Sequence, residues 1–256
     1  MSVAPLHLPD LAHHPLSPAP LTGVRTHLSE RFELLWAAGQ RGKPGVNADI
    51  QNSSEAVRMI ADPDFELLGT NAVSSSSAIY VEGGVTLTTA GANNDQVIVV
   101  PHLDTSQSGW GTVTWGTDKE VEWEGYVGTA SSIASVTQWA GLKLTNTSVT
   151  ATDNDQAFFR YADGTNSGRF QAIYSIGGTD TVVDTGITVA ASTKYRLRVS
   201  IDASRIARFY INGELVATST ALTDATDLIP YVGVHANTGS AKALNVFAQS
   251  ISRNLG

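Results

Sequence analysis

The stretch YRLRVSIDASRIARFYINGELVATST, residues 195–220, contains the clearest structural signals in the sequence. Every second residue from Tyr195 to Ile201 is apolar and the residues between them are polar, as in a strand with one buried and one solvated face. Asn212-Gly213 then separates two β-rich runs, and this dipeptide favours the type I′ turn of a two-residue hairpin. The stretch therefore predicts antiparallel β-structure.

The same pattern of short β-rich runs extends from about Phe65 to the end of the sequence, without intervening helical periodicity. The predicted strands are 65–71, 78–90, 96–102, 112–116, 120–129, 136–145, 156–162, 169–176, 181–189, 194–202, 205–211, 214–219, 229–235 and 242–252. Gly83-Gly84 and Gly177-Gly178 are interpreted as hairpin turns. This organisation predicts an all-β domain over residues 64–256, an antiparallel two-sheet jelly-roll sandwich.

Residues 1–63 differ in composition and are predicted to form an N-terminal arm. Five prolines before residue 22 disfavour regular structure there, and apolar residues recur at helical spacing between Arg25 and Ala38. A short amphipathic helix is therefore predicted, with an apolar stripe formed by Leu28, Phe32, Leu35 and Trp36. This stripe is the predicted attachment site; it docks either on another subunit or protein, or on the chain's own sandwich.

The overall composition excludes several classes of partner. A net charge of -8 over 256 residues disfavours binding to nucleic acid or to anionic lipid, so neither partner is expected. The absence of cysteine excludes disulfides and thiolate chemistry. No apolar run reaches the roughly 18 residues of a membrane helix, and no secretory signal is recognised at the N-terminus, so a soluble protein made without such a signal is expected.

Several stretches carry a resemblance to known proteins. The hairpin from Arg208 to Val216 and the terminal strand ALNVFAQSISR resemble the closing strands of the concanavalin A-like jelly rolls, the laminin-G-like lectin/glucanase superfamily. FELLGTNAV, GGVTLTTAGANNDQVIVVPHLD, WAGLKLTNTSVTATDNDQAFFRYA and ARFYINGELVATSTALTDATDLIPYVGV resemble a domain of structural proteins in tailed bacteriophages. This second resemblance covers about residues 64–253.

The resemblance implies a non-enzymatic virion component, first of all a capsid decoration protein. It would be made in the host cytoplasm, displayed on the particle exterior and anchored by the N-terminal arm. The implied partners are the major capsid protein or another virion protein, together with further copies of the chain in a homo-oligomer such as a trimer. The alternative is a carbohydrate-binding tail-fibre or receptor-binding module that recognises a surface glycan.

A third hypothesis is a glycoside hydrolase. In Glu120-Val121-Glu122-Trp123-Glu124, strand alternation predicts three carboxylates on one face. The segment resembles the Glu-x-Asp-x-Glu strand of laminarinase-type glycosidases, with Glu at the position of Asp. This resemblance implies that Glu120 is the nucleophile, Glu122 the intervening carboxylate and Glu124 the acid/base. A solvated face of carboxylates accounts for the same pattern.

Two loops have the oxygen-rich composition of calcium sites, namely Asp153-Asn154-Asp155 and Asn93-Asn94-Asp95. Asn and Asp are also common turn formers, and neither loop has the Gly and distal Glu of an EF-hand. No cofactor is expected beyond this possible calcium. Trp110, Trp115, Trp123 and Trp139 are candidates either for a sugar-stacking platform or for the core; the core is favoured.

Overall fold

The computed structural model describes residues 31–36, 65–80, 84–101, 114–144 and 153–254, and these residues are almost entirely β-structure. The fifteen strands in the described ranges are β1 (Arg31–Trp36), β2 (Phe65–Leu68), β3 (Ser77–Ile79), β4 (Val85–Thr88), β5 (Gln96–Pro101), β6 (Glu122–Thr129), β7 (Val136–Lys143), β8 (Gln156–Ala162), β9 (Arg169–Ile176), β10 (Thr179–Thr188), β11 (Lys194–Ile201), β12 (Ile206–Ile211), β13 (Glu214–Ala221), β14 (Ile229–Ala236) and β15 (Ala243–Asn254). Three single 3₁₀ turns join some of them. The described segments contain no helix long and apolar enough to cross a membrane.

The strands form two antiparallel sheets, which confirms the predicted jelly-roll sandwich. Sheet A has the order β13-β12-β11-β6-β15-β4-β3, and β1 also pairs with β15. Sheet B has the order β10-β9-β8-β7-β14-β5-β2. Strands distant in sequence are neighbours in both sheets, for example β6 and β15, so the sandwich closes only when the C-terminal strand has been added.

The core lies between the sheets and follows the strand alternation. On β11, Tyr195, Leu197, Val199 and Ile201 are buried, as the pattern predicts, and the arginines between them lie on the outer face of sheet A. A smaller buried cluster lies on the other side of sheet B from this core. It consists of Ile98, Trp139, Phe158, Ile173 and Tyr231.

Two of the predicted hairpin turns are confirmed by the backbone; in the third, Gly83-Gly84, Gly83 lies outside the described residues. Asn212 and Gly213 both have positive φ angles, 52° and 89°, as a type I′ turn requires. Gly177 and Gly178, at 57° and 82°, connect β9 to β10 in the same way. The predicted strand 78–90 is divided into β3 and β4, which pair as a hairpin.

The predicted helix between Arg25 and Ala38 is wrong over the residues that the structure describes. Arg31–Trp36 is the strand β1, which pairs antiparallel with the last six residues of β15, from Gln249 to Asn254. Earlier residues of β15, Ala243–Val246, pair with β4. Since the opposite edge of β15 is occupied by β6, β1 and β4 share one edge. Hydrogen bonding to an open strand edge has overridden the helical spacing of the apolar residues.

Candidate functional site

The three glutamates predicted to share one strand face do not all lie on it. Glu122 is the first residue of β6, whereas Glu120 follows a 3₁₀ turn at 117–119 in the left-handed conformation, with φ of 49°. A residue with positive φ breaks the extended geometry on which the alternation depends. Only Glu122 and Glu124 are therefore brought together on the outer face of sheet A.

Both of these carboxylates are paired with arginines of the neighbouring strand β11. Arg196 Nη2 lies 2.8 Å from Glu124 Oε2, and Arg198 Nη1 lies 3.6 Å from Glu122 Oε2. The Arg198 guanidinium also stacks on the Tyr210 ring, 3.9 Å from its centroid. Each carboxylate is thus positioned as the acceptor of an arginine ion pair on the outer face of sheet A.

A cavity of about 160 Å³ opens beside these ion pairs. Its walls are formed by Glu124, Arg196, Arg198, Tyr210 and Gly213. Gly213, at the turn between β12 and β13, contributes no side chain to this wall. The cavity therefore combines an aromatic ring with strong donors and acceptors.

A larger groove, of about 760 Å³, lies further along the same outer face. Its aromatic rings are those of Tyr80 and Phe247, whose centroids are 5.8 Å apart. Small polar side chains surround the rings, namely Thr86, Ser131, Ser192, Thr193 and Asn245. Tyr126, the exposed aromatic residue of β6, stands next to the groove with its ring 5.1 Å from that of Phe247.

The position of Phe247 depends on two local features of the backbone. The β15 register against β6 shifts between Val246 and Ala248, and such a bulge redirects a side chain that would otherwise follow strict alternation. Gly128 lies beneath the ring, where an added Cβ would be 2.8 Å from Phe247 Cε2. The Lys194 ammonium lies 4.7 Å from the ring centroid. The ring is thus fixed in place by its surroundings.

Sequence reasoning missed this groove. Its aromatic residues come from segments near residues 80, 126 and 247, so no local window of the sequence contains two of them. One signal was accessible: Tyr126 follows Glu124 at strand spacing and must share its face. The contributions of Tyr80 and Phe247 depend on strand order and on the bulge, neither of which a single sequence reveals.

The oxygen-rich loops are used as turns. Asp95 is buried, and its two carboxylate oxygens accept hydrogen bonds from Asn71 Nδ2 at 2.6 Å and from Ala92 N at 2.7 Å. In the other loop, Asp153 accepts from the Asn154 N–H, and Asp155 accepts from the Thr223 hydroxyl. The described residues include no cluster of three or more His, Asp or Glu side chains suited to a metal. Calcium at Asp153, Asn154 and Asp155 stays a prediction.

The predicted attachment residues are only partly described. Leu28 lies outside the described residues, while Phe32, Leu35 and Trp36 belong to β1. In the β1–β15 register they stand opposite Arg253, Ser250 and Gln249, respectively. β1 therefore pairs with a strand of the chain's own sandwich, and docking of the stripe on another subunit or protein stays a prediction.

Trp115, Trp123 and Trp139 are buried, as favoured from the sequence, so they offer no sugar-stacking surface; Trp110 lies outside the described residues. Trp139 belongs to the cluster on the outer side of sheet B, where Lys143 Nζ lies 5.5 Å from the Tyr231 ring. Burial lowers the pKa of Lys143 and raises the pKa of Tyr231 well above its usual value. We assign this buried side of sheet B a structural role.

Comparison with solved structures shows which known fold this chain shares. No protein-family model matches the sequence, and no curated protein does. A protein of unknown function from Shewanella oneidensis MR-1 superposes with a TM-score of 0.54 at 11% identity, over 92% of each chain. Bacillus licheniformis β-glucanase gives 0.51 at 10% identity, over 74% of this chain and 92% of the enzyme. The fold is a concanavalin A-like jelly roll.

The potassium-bound carbohydrate recognition domain of Emp46p is also similar, with a TM-score of 0.51 at 7% identity, over 73% of this chain and 88% of that domain. At these identities the likeness establishes the concanavalin A-like fold alone. It is a fold shared by the named glucanase and the named carbohydrate recognition domain. None of these three structures is described as a phage protein.

Proposed function

We propose that this chain is a glycan-binding protein whose ligand lies in the 760 Å³ groove beside Phe247, and that it binds the glycan without cleaving it. The observation that carries this proposal is the meeting of aromatic rings with a border of hydroxyl and amide groups on an exposed sheet face. A binding site of this composition provides apolar contact area together with a few oriented polar groups.

The groove matches the two-sided chemistry of a sugar. The C–H face of a pyranose is apolar and stacks on a ring such as Phe247, while its hydroxyls need donors and acceptors at the edge. Asn245 Oδ1 accepts a hydrogen bond from Thr86 Oγ1 at 2.7 Å, which orients the amide toward the groove region. Preorganised polar groups lose less entropy on binding than mobile ones.

We propose binding without catalysis because of where the candidate catalytic carboxylates lie. Glu120 lies off the strand, and Glu124 is held by Arg196 at 2.8 Å. A retaining glycosidase needs one carboxyl group that donates a proton and a second one about 5–5.5 Å away that acts as the nucleophile. The described geometry supplies a pair of arginine-bound carboxylates instead.

A second proposal concerns where the protein acts. The sequence resemblance to tailed-phage structural proteins over residues 64–253 favours a virion component on the particle exterior, such as a capsid decoration protein bound to the major capsid protein. A glycan-binding tail-fibre module unites this proposal with the groove. Mass spectrometry of purified virions tests this proposal. If the chain is absent from the particles of the phage that encodes it, a virion location is rejected.

Affinity electrophoresis in gels containing linear and branched polysaccharides tests glycan binding. We expect at least one polysaccharide to retard the native protein. Phe247→Ala should weaken that binding by about 2 kcal/mol or more, as loss of an aromatic anchor does in other interfaces. Gly128→Ala should weaken it too, because the new Cβ displaces the ring.

The matched control is Gly91→Ala, since a Cβ at Gly91 meets nothing within 4 Å. It should bind like the native protein. Unretarded migration in every polysaccharide would overturn the proposal. Release of reducing ends by the native protein, lost in Glu124→Gln, would instead establish the glycosidase hypothesis.

A further inference from the structure

We propose that the ligand is a linear, neutral oligosaccharide that extends along β6 and β11 from the groove beside Phe247 to a second subsite in the cavity beside Tyr210. This inference rests on the proposed glycan-binding function and adds a site and a ligand class to it.

The spacing of the two sites follows from the strand register. Gly128 and Lys194 are register partners at the groove, whereas Glu124 and Arg198 are register partners at the cavity. Four residues of antiparallel strand separate the two positions, a distance of about 14 Å. A single sugar unit is too small to reach across that distance, so simultaneous occupation of both sites requires a chain.

The surface between the two sites is continuous on the same face. The intermediate register pair is Tyr126 and Arg196. The tyrosine is 40% exposed, and the arginine side chain is 63% exposed. Tyr126 therefore offers a ring to a unit in the middle of the chain, next to Phe247 on one side and the Arg196–Glu124 pair on the other.

The second subsite has the donors and acceptors that hydroxyl pairs require. The Glu124 carboxylate accepts hydrogen bonds, the guanidinium groups of Arg196 and Arg198 donate them, and the Tyr210 ring forms part of the wall. Hydrogen bonds to charged groups are stronger than those between neutral groups. A sugar unit with adjacent hydroxyls fits this set.

The charge balance points to a neutral glycan. Arg196 and Arg198 each have a carboxylate partner, Glu124 and Glu122, so an acidic substituent would have to displace one of them. The protein as a whole also carries a net charge of -8, which disfavours approach of a polyanion. Hydroxyl groups, in contrast, insert into the ion-pair network without removing a charge.

The test uses the polysaccharide that retards the full-length protein in electrophoresis. This polysaccharide is hydrolysed and separated into fragments of one to six units. The affinity of the protein for each fragment is then measured by calorimetry. We expect affinity to rise with length until both subsites are filled, because linked contacts reinforce each other. Arg196→Gln should lower the affinity for the six-unit fragment about tenfold or more. Raising the salt concentration should leave the binding of the native protein nearly unchanged.

Arg169→Gln is the matched control, because Arg169 forms a comparable ion pair with Asp184 at 3.0 Å on sheet B, and it should not alter binding. Equal affinity for one and six units, with no effect of Arg196→Gln, would overturn the second subsite while leaving glycan binding established. Steep weakening by salt, or preference for an acidic polysaccharide, would overturn the neutral ligand. If no polysaccharide retards the protein, both this inference and the proposed function are overturned.

Discussion

Single residues on the outer face of sheet A determine what the face can bind. Phe247 reaches the groove because of a bulge in β15, and its ring lies over Gly128 because that position has no Cβ. Tyr210 contributes to the cavity with one side occupied by Arg198. None of these properties follows from residue type alone, since each depends on a neighbour on another strand.

His235 is a residue from which we expect pH-dependent stability. It lies on β14 with Nε2 buried and without a hydrogen-bond partner, and burial lowers its pKa from 6.5 against the opposing effect of Asp95. The unfolded chain therefore takes up the proton first as the pH falls. The contribution is fully present above the unfolded pKa of about 6.5 and is lost as the pH falls toward the folded pKa.

We expect the free energy of unfolding, measured in urea, to decrease as the pH is lowered from about 7 toward 5. His235→Gln should show a smaller decrease over the same interval, because glutamine does not titrate. Parallel pH profiles for the two proteins would contradict this assignment to His235.

At the scale of strands, the sequence predicts the local hairpins well and the pairing of strands distant in sequence poorly. The hairpin β12–β13 is specified by alternation and by the positive-φ residues Asn212 and Gly213, all of which are local. The strand β1 pairs with residues more than 200 positions away, and its apolar residues also fit a helical period. A short apolar pattern of this kind cannot be assigned to a helix or a strand until it is known whether a sheet offers it an unpaired strand edge.

Hydrogen–deuterium exchange tests the pairing of β1. Deleting residues 1–63 should accelerate exchange in the peptide 249–254, whose edge then lies open, while deletion of residues 1–30 should not. The peptide 243–246 is the internal control because it stays between β4 and β6. Equal exchange of 249–254 in all three proteins would show that β1 does not protect this edge in solution.

At the scale of the whole molecule, the core residues that the structure describes lie in the predicted jelly-roll domain. The buried members of the main core run from Val85 to Ile251. The candidate site lies in the same part of the chain, since the groove and the cavity are lined by residues from Tyr80 to Phe247. The boundary near residue 64 stays a prediction, which truncation tests.

A chain of residues 64–256 should consequently remain folded, with thermal unfolding followed by circular dichroism. Cross-strand pairs contribute about 0.2–1 kcal/mol each, so loss of β1 should destabilise the sandwich only moderately. The midpoint should fall by about 2–4 °C for each kcal/mol lost. An unfolded spectrum would show that the N-terminal segment belongs to the folding unit.

The β1–β15 pairing has a mechanical consequence. Arg31 stands opposite Asn254, so tension applied through the residues before β1 would load that end pair first and then peel the others one by one toward Trp36. Residues 37–64 connect β1 to β2 and could span at most roughly 95 Å if fully extended, which limits how far a released β1 could move from the sandwich. The edge strand would act as a releasable tether, yielding under load while the remaining strands of the sandwich stay paired.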